Sequence, residues 1–103
     1  MLAFWCYMLR CADGSYYVGH TDSLESRVGQ HIAGSMPGCY TFPRRPLLLV
    51  WSQEFETREE ALVAERRIKG WSRIKKEALI RGDWKAIQQH AWGTRNPLPE
   101  RLR

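Results

Sequence analysis

One carboxylate stands on a helical stripe that is otherwise apolar. Glu65 follows Ala61 by four residues and precedes Ile68 by three, a spacing that places the three side chains on one helical face. A carboxylate rarely faces a core unless it is paired with a cation or binds one. Two interpretations therefore stay open: Glu65 ligates a metal ion, or it forms a salt bridge with an arginine or with Lys69 one turn later.

Two basic side chains lie one turn apart in an earlier segment. Arg27 and His31 border an apolar face made by Leu24, Val28 and Ile32, so they point toward the edge of a sheet that this helix would cover. An arginine offers a fork of donors that matches a phosphate, and a histidine can transfer a proton near neutral pH. The competing interpretation is a solvated basic face without chemistry.

Tyr7 and Tyr17 form a third pair of interest. They lie ten residues apart on either side of Asp13-Gly14, a dipeptide typical of tight hairpin turns. Paired strands would bring the two hydroxyls to one place. Tyrosines in strands more often serve only in packing, with the hydroxyl left at the rim.

The cysteines carry no comparable signal. Cys6, Cys11 and Cys39 are odd in number and match no zinc-ligand spacing, so neither a disulfide framework nor a zinc site is expected. We interpret them as small core residues, without a lowered thiol pKa, in a reducing compartment.

The first half of the chain predicts a hairpin and a helix that would position these residues. Aromatic and apolar residues over 2–11 indicate a buried strand, and 15–19 indicate the returning strand. Side-chain oxygens at 21–23 offer N-caps for a helix that turns the Leu24, Val28 and Ile32 face inward.

The second half predicts one more strand and further helices. The apolar run 46–51 follows a proline and is interpreted as a third strand, central or nearly so. Thr57 and Glu60 form a capping box that starts a helix, and Ser72 can cap the next one. A last short helix is expected over 84–91. The inward residues predicted for the helix after Ser72 are Ile74, Ala78 and Leu79.

This order of elements predicts an α+β domain with a small, mostly antiparallel sheet. With 103 residues in the chain, residues 1–92 would form a single domain and 93–103 a loose basic tail. The net charge of +5 suits a polyanion such as nucleic acid. No apolar run reaches the roughly 18–20 residues of a membrane helix, and no signal sequence is recognisable, so a cytoplasmic protein without membrane partners is expected.

Several motifs, taken in order and spacing, resemble the GIY-YIG nuclease domain. The resemblance covers about residues 3–81 and is strongest to the small stand-alone bacterial members, which are relatives of the Holliday-junction-resolving nuclease subunit. The motifs are Trp5-Cys6-Tyr7, Tyr17-Val18-Gly19, Arg27 with His31, Leu9–Gly14, Ala61–Glu65 and Ile68–Lys76. Trp5-Cys6 stands where the family has Gly-Ile.

The resemblance implies a three-stranded antiparallel sheet flanked by helices, and metal-dependent hydrolysis of phosphodiester bonds in nucleic acid. Glu65 would be the single protein ligand of Mg²⁺ or Mn²⁺, and Arg27 would contact the scissile phosphate. Tyr7 and Tyr17 would border the attacking water. We expect Tyr7 to act as the general base with help from His31 and Tyr17, and His31 itself is the closest competitor for that role.

DNA is expected as substrate rather than RNA, with a role in repair or recombination. No separate sequence-reading module is recognisable, so selection by structure, or weak selection, is predicted. Other basic residues would hold backbone phosphates through salt-sensitive contacts. The candidates are His20, where several relatives have lysine, and Arg44, Arg45, Arg66, Arg67, Lys69, Arg73, Lys75 and Lys76.

Other classes of function stay open. The chain could keep the fold as a nucleic-acid-binding module that does not cleave, or act only beside a protein partner that helps to engage substrate. Many relatives carry an asparagine near the metal, whereas Asn96 is the one asparagine here and lies in the tail, which favours the non-cleaving module. A third alternative is a cysteine–histidine hydrolase using Cys6 or Cys39.

Overall fold

A computed structural model describes residues 3–89 of the chain. Its elements are β1 (Phe4–Arg10), β2 (Tyr16–Thr21), α1 (Leu24–Ala33), a 3₁₀ turn (Phe42–Arg44), β3 (Leu48–Phe55), α2 (Arg58–Lys69), α3 (Arg73–Arg81) and α4 (Trp84–Gln89). This order confirms the predicted α+β class. The predicted tail, 93–103, and the end of the last predicted helix lie outside the described residues.

The β1–β2 hairpin forms where the sequence predicts it. The Asp13 carboxylate accepts hydrogen bonds from the Ser15 N–H at 3.0 Å and from the Ser15 hydroxyl at 2.6 Å, and Gly14 takes the left-handed backbone conformation with φ 85°. Local side-chain bonds of this kind and a glycine free of Cβ strain are what a tight turn requires.

The sheet is antiparallel with the strand order β2-β1-β3. The central strand is therefore β1, and the prediction that the third strand is central or nearly so was wrong. Leu48 and Leu49 are 62% and 42% exposed at the start of β3. A short apolar run cannot by itself distinguish a central strand from an edge strand.

Side chains alternate between the two faces of the sheet, and each face carries its own apolar cluster. Cys6 and Met8 pack with Ala64 and Ile68 of α2. Tyr7 and Leu9 point to the other side, where they pack with α1 and the segment before β3. The three-stranded sheet thus separates two layers, one packed on each of its faces.

The starts of α2 and α3 agree with the sequence signals, whereas Ser23 at the start of α1 makes no side-chain cap hydrogen bond. The Thr57–Glu60 capping box is present, and the Ser72 hydroxyl accepts from the Lys75 N–H.

One predicted inward residue in each of α1 and α3 is exposed. Ile32 and Ile74 were predicted to be inward and are 51% and 59% exposed. Val28, Ala78 and Leu79 are buried as predicted. His31 in α1 and Lys75 in α3, each adjacent in sequence to one of the exposed isoleucines, are buried as well.

Within residues 3–89, none of the helices has the length and apolar character needed to cross a bilayer.

Candidate active site

Tyr7, Tyr17 and His31 meet on the face of the sheet that α1 covers. The ring centroids of Tyr7 and Tyr17 lie 6.3 Å apart, and the His31 ring lies 5.9 Å from Tyr7 and 5.0 Å from Tyr17. Tyr17 pairs with Leu9 across the hairpin, so the two tyrosines are diagonal neighbours on one face. The hairpin and α1 therefore bring together three residues that the sequence singles out.

Gly19 makes room for the Tyr7 hydroxyl. The two residues are partners in the β1–β2 register, and a Cβ at position 19 would lie 2.6 Å from the Tyr7 hydroxyl oxygen. Such a distance is far inside van der Waals contact, so a side chain at this position would displace the phenol. The glycine lets the tyrosine reach across β2 toward the edge of the sheet.

A hydrogen-bonded chain runs from Tyr7 into the interior. The Tyr7 hydroxyl lies 3.0 Å from Nε2 of His31, and Nδ1 of His31 lies 2.8 Å from the Thr41 hydroxyl. The Thr41 hydroxyl donates to Sγ of Cys39 at 3.6 Å. Tyr7, His31 and Thr41 are 1%, 2% and 1% exposed, so the two hydrogen bonds of His31 are shielded from water, whereas the bond to Cys39 is partly buried.

The electrostatics of the cluster favour the neutral forms of Tyr7, Tyr17 and His31. Burial, followed by the neighbouring Tyr17, raises the pKa of Tyr7 above its usual range. Burial also raises the pKa of Tyr17. Burial, assisted by the positive charge of Arg27, lowers the pKa of His31 below 6.5. A neutral imidazole beside a neutral phenol can accept the phenol proton.

Arg27 lies at the exposed border of this cluster. Its positive charge lowers the pKa of both Tyr7 and Tyr17, although burial outweighs it. Within residues 3–89 its guanidinium makes no hydrogen bond or ion pair, in contrast to the arginines that are tied to carboxylates elsewhere. An unengaged guanidinium at the rim is free to bind an anionic group such as phosphate.

Glu65 approaches the same edge of the sheet from the α2 layer. One of its carboxylate oxygens lies 2.8 Å from Nδ1 of His20, and the other lies 3.3 Å from Nζ of Lys69. The carboxylate is 13% exposed and raises the pKa of both tyrosines. The salt bridge to Lys69, which is one of the two interpretations of Glu65, is therefore present in the structure. The same carboxylate remains the candidate for metal ligation.

The donor set around Glu65 suits a hard cation with few protein ligands. Within residues 3–89 no cluster of three or more histidine, cysteine, aspartate or glutamate side chains could hold a metal ion, so a metal at Glu65 would have at most two such protein ligands. Mg²⁺ accepts one or two carboxylates and keeps several waters. Lys69 is 52% exposed, and its ammonium pairs with Glu65 one helical turn earlier. A solvent-exposed ammonium can leave such a pair at little cost in free energy.

The basic residues predicted to contact phosphates differ in their surroundings. Arg44 bonds to Asp13 and lies over the Tyr40 ring at 3.7 Å, whereas Arg45 lies over the Phe42 ring at 4.6 Å. Arg73 bonds to the Gly14 carbonyl and pairs with Glu77 on its own helix. These guanidiniums, and those of Arg66 and Arg67, are exposed or half-buried.

Two of the lysines that were predicted to contact phosphates are buried or half-buried. Lys75 is 6% exposed and its ammonium lies 4.0 Å from the centre of the Trp71 ring, so its assignment as a surface phosphate contact is corrected. Lys76 is half-buried, and burial lowers the pKa of both lysines. Lys75 shares the buried face of α3 with Ala78 and Leu79, which follow it by three and four residues, whereas Ile74 lies outside that face.

Thr41 is a member of the cluster that the sequence does not reveal, and Cys39 joins the cluster through it. The prediction that Cys39 is a plain core residue was wrong. Its burial favours a raised pKa, but hydrogen bonds from the Thr41 N–H and hydroxyl, the Tyr17 hydroxyl and the Tyr40 N–H lower it overall. Cys6 does behave as a core residue, since burial raises its pKa to about 12.

Comparison with known proteins identifies relatives of this chain. The model of the GIY-YIG catalytic domain matches residues 3–78. A UPF0213 protein of Bacillus pumilus is 43% identical over 74 residues, which cover 72% of this chain and 74% of that protein. A UPF0213 protein of Halobacterium salinarum is 42% identical over 74 residues, covering 72% of this chain and 95% of that protein.

Solved structures agree with these relatives. The solution NMR structure of a UPF0213 protein from Bacillus halodurans has a TM-score of 0.52 and 34% identity, covering 85% of this chain and 96% of that one. The solution NMR structure of a protein from E. faecalis has a TM-score of 0.55 and 36% identity, covering 79% and 85%. By its family match and its relatives, the chain belongs to the GIY-YIG catalytic domain family, among the UPF0213 proteins.

Proposed function

We propose that this chain is a divalent-metal-dependent endonuclease that hydrolyses phosphodiester bonds in DNA. The observation that carries the proposal is the buried hydrogen bond of 3.0 Å between the Tyr7 hydroxyl and Nε2 of a neutral His31. This pair lies beside the unengaged Arg27 and near the carboxylate of Glu65. Membership in a catalytic-domain family supports the assignment of an enzymatic role.

Tyr7 accepts a proton from the attacking water, and its hydroxyl does not need to be ionised before the reaction begins. As the attacking water gives a proton to the phenol oxygen, the phenol proton passes to the lone pair on Nε2 of His31. The products of this step are a hydroxide-like nucleophile, a neutral phenol and an imidazolium. General-base assistance of this kind contributes on the order of 100- to 10,000-fold in rate.

The raised pKa of Tyr7 favours this relay over a free phenolate. The Tyr7 side chain is 1% exposed, so the attacking water must gain access to its hydroxyl when substrate binds. His31 is then the final proton acceptor, and Tyr7 is the group that touches the water. The two candidates for the general base thus act as one unit.

Arg27 and Glu65 take up the charge that the reaction develops. The guanidinium of Arg27 holds the scissile phosphate, and it keeps its positive charge at any working pH. Glu65 would hold Mg²⁺ or Mn²⁺, which supplies Lewis-acid polarisation of the phosphate oxygens when bound. His20 fixes the rotamer of the Glu65 carboxylate by its hydrogen bond of 2.8 Å. Lys69 moves from the carboxylate to a substrate phosphate.

Substrate is held by charge rather than by base edges. Arg44, Arg45, Arg66 and Arg73 supply exposed or half-exposed guanidiniums for phosphates. Contacts of this kind are independent of sequence, so cleavage selects a DNA structure or selects weakly, as expected for a role in repair or recombination.

The test is cleavage of labelled single-stranded, duplex, flapped and branched DNA, and of RNA, at low salt with and without Mg²⁺ or Mn²⁺. Wild-type protein is compared with Glu65→Gln and with Glu59→Gln, which removes an exposed carboxylate from the same helix. The proposal expects metal-dependent cleavage of DNA that Glu65→Gln abolishes and Glu59→Gln retains. Cleavage that survives Glu65→Gln, or that needs no metal, contradicts it.

A binding module that does not cleave is the second candidate. It is favoured by the engagement of both Glu65 oxygens, with His20 and with Lys69. In the same experiment this candidate expects binding at low salt without products for wild type and both variants. If cleavage appears only after a cell extract is added, the chain depends on a protein partner.

A further inference from the structure

We propose that Thr41 and Cys39 are positioning residues that fix the tautomer of His31, with the proton on Nδ1 and the lone pair on Nε2 facing Tyr7. This inference rests on the proposed function, because it explains how the imidazole is kept ready to accept the Tyr7 proton. Neither residue touches the reacting atoms. Both act through the hydrogen-bonded chain that ends at Cys39.

The surroundings of Cys39 determine where the single proton of the Thr41 hydroxyl points. The Thr41 hydroxyl donates to Sγ of Cys39, and hydrogen bonding from the backbone and side chain of Thr41, from Tyr17 and from the Tyr40 backbone lowers the pKa of the thiol against the effect of its burial. Backbone N–H groups can only donate, so the sulfur is an acceptor in this setting. The Thr41 hydroxyl therefore donates to Sγ, at 3.6 Å, and offers only its lone pairs to His31.

A lone pair on Thr41 requires a proton on Nδ1 of His31. The separation of 2.8 Å between these atoms is that of a well-formed hydrogen bond, whereas Sγ of Cys39 lies 3.8 Å from Nδ1. In a neutral imidazole, a proton on Nδ1 leaves Nε2 as the acceptor. Thr41 and Cys39, which lie on the side of His31 away from Tyr7, thus set the tautomer of the imidazole.

Tyr7 imposes the same tautomer from the other end. Within residues 3–89 the Tyr7 hydroxyl has no acceptor other than Nε2 of His31, and the side chain is 1% exposed. If Nε2 carried the proton, the phenol O–H would be buried without an acceptor, which native structures avoid. Two independent constraints therefore agree on one tautomer.

The first test is the tautomer itself in the wild-type protein. Long-range ¹H–¹⁵N correlation spectra of ¹⁵N-histidine-labelled protein distinguish protonated from unprotonated ring nitrogens, and His31→Gln identifies the His31 signals. The proposal expects a protonated Nδ1 and a pyridine-like Nε2 at neutral pH. A protonated Nε2 overturns it. This measurement needs no substrate, so it decides the inference even if cleavage fails and the proposed function falls.

Variants then separate positioning from mere packing. Thr41→Val keeps the shape and removes the hydroxyl, so a mixed tautomer and a roughly 10-fold lower kcat with unchanged KM are expected. Thr41→Ser should restore both. Cys39→Ala frees the Thr41 hydroxyl to turn to Nδ1 and should raise the population with a protonated Nε2, whereas Cys39→Ser should not. An unchanged tautomer in both Thr41→Val and Cys39→Ala overturns the proposal.

Discussion

The Tyr7 hydroxyl lies where the side chain of Gly19 would be, since a Cβ on Gly19 would lie 2.6 Å from that oxygen. Gly19 does not have a positive φ, so the glycine is required here by space and not by backbone conformation. One strand of the hairpin thus supplies the reacting phenol, and its partner supplies the opening that the phenol occupies.

The variant Gly19→Ala is expected to lose both activity and stability. The added methyl group would push the phenol away from His31, which should lower cleavage by on the order of 100-fold. Overpacking of a closed core should lower the free energy of unfolding by about 1–3 kcal/mol. Urea unfolding and single-turnover cleavage measure the two effects.

Gly29 provides the matched control for this substitution. A Cβ at position 29 meets nothing within 4 Å, and the residue lies within α1. Gly29→Ala should therefore raise stability by about 0.5–1 kcal/mol through helix propensity and leave cleavage unchanged. Equal losses in both variants would mean that the opening at Gly19 has no special role.

Removal of the phenol oxygen is expected to slow the reaction strongly. Tyr7→Phe keeps the ring and eliminates the group that accepts the water proton, so kcat should fall by roughly 100- to 10,000-fold. Tyr16→Phe is the control, because its hydroxyl donates to Glu77 on the other layer of the sheet. A Tyr7→Phe protein with full activity would remove Tyr7 from the mechanism.

Acid should weaken the fold through His31. Its pKa is lowered in the folded protein, so the unfolded chain takes up a proton first, near the ordinary value of about 6.5. The free energy of unfolding should therefore decrease as pH falls from above 6.5 through the folded pKa. Cleavage should fall over the same range, because a protonated imidazole cannot accept the Tyr7 proton.

The groups that face His31 are Tyr7, Tyr17, Arg27 and Cys39, and the tyrosines stay neutral throughout this pH range. Urea unfolding at about pH 7.5 and pH 5.5 measures the loss of stability, with His31→Gln as the reference that lacks this titration. The assignment fails if the wild-type protein and His31→Gln lose stability in parallel.

Lys75 and Arg45 should differ in their effect on DNA binding. The Lys75 ammonium is buried over the Trp71 ring, so Lys75→Met should leave DNA affinity unchanged and alter the free energy of unfolding by no more than about 1.5 kcal/mol. Arg45 is exposed, and Arg45→Met should lower the slope of log affinity against log salt by about 0.9. Binding titrations at several salt concentrations compare the two, and a shallower slope for Lys75→Met would contradict the buried assignment.

Local signals were sufficient for most of the fold. Asp13-Gly14 specified the hairpin, and Thr57 with Glu60 specified the start of α2, because the atoms involved lie within a few residues of each other. The convergence of Tyr7 and Tyr17 followed from the hairpin alone. The family resemblance named the remaining site candidates, and the family match confirms the resemblance.

The errors arose where contacts between distant segments decide the outcome. His31 was expected to border the apolar face of α1, yet hydrogen bonds to Tyr7 and Thr41 satisfy its ring inside the core while Ile32 is exposed. Lys75 is accommodated by the Trp71 ring in the same way. Thr41 has no local signal at all, because its importance depends on a histidine ten residues earlier along the chain.

The candidate site is assembled from both layers that pack on the three-stranded sheet, so it exists only when the whole domain is folded. Tyr7 and His31 belong to one layer and Glu65 to the other, so detachment of either helix layer dismantles the site as a whole. A ligand that spans Arg27 and Glu65 would bind only the folded protein and would hold both layers on the sheet. By mass action such a ligand raises the melting temperature, so thermal shift can rank candidate nucleic acids before any of them is cleaved.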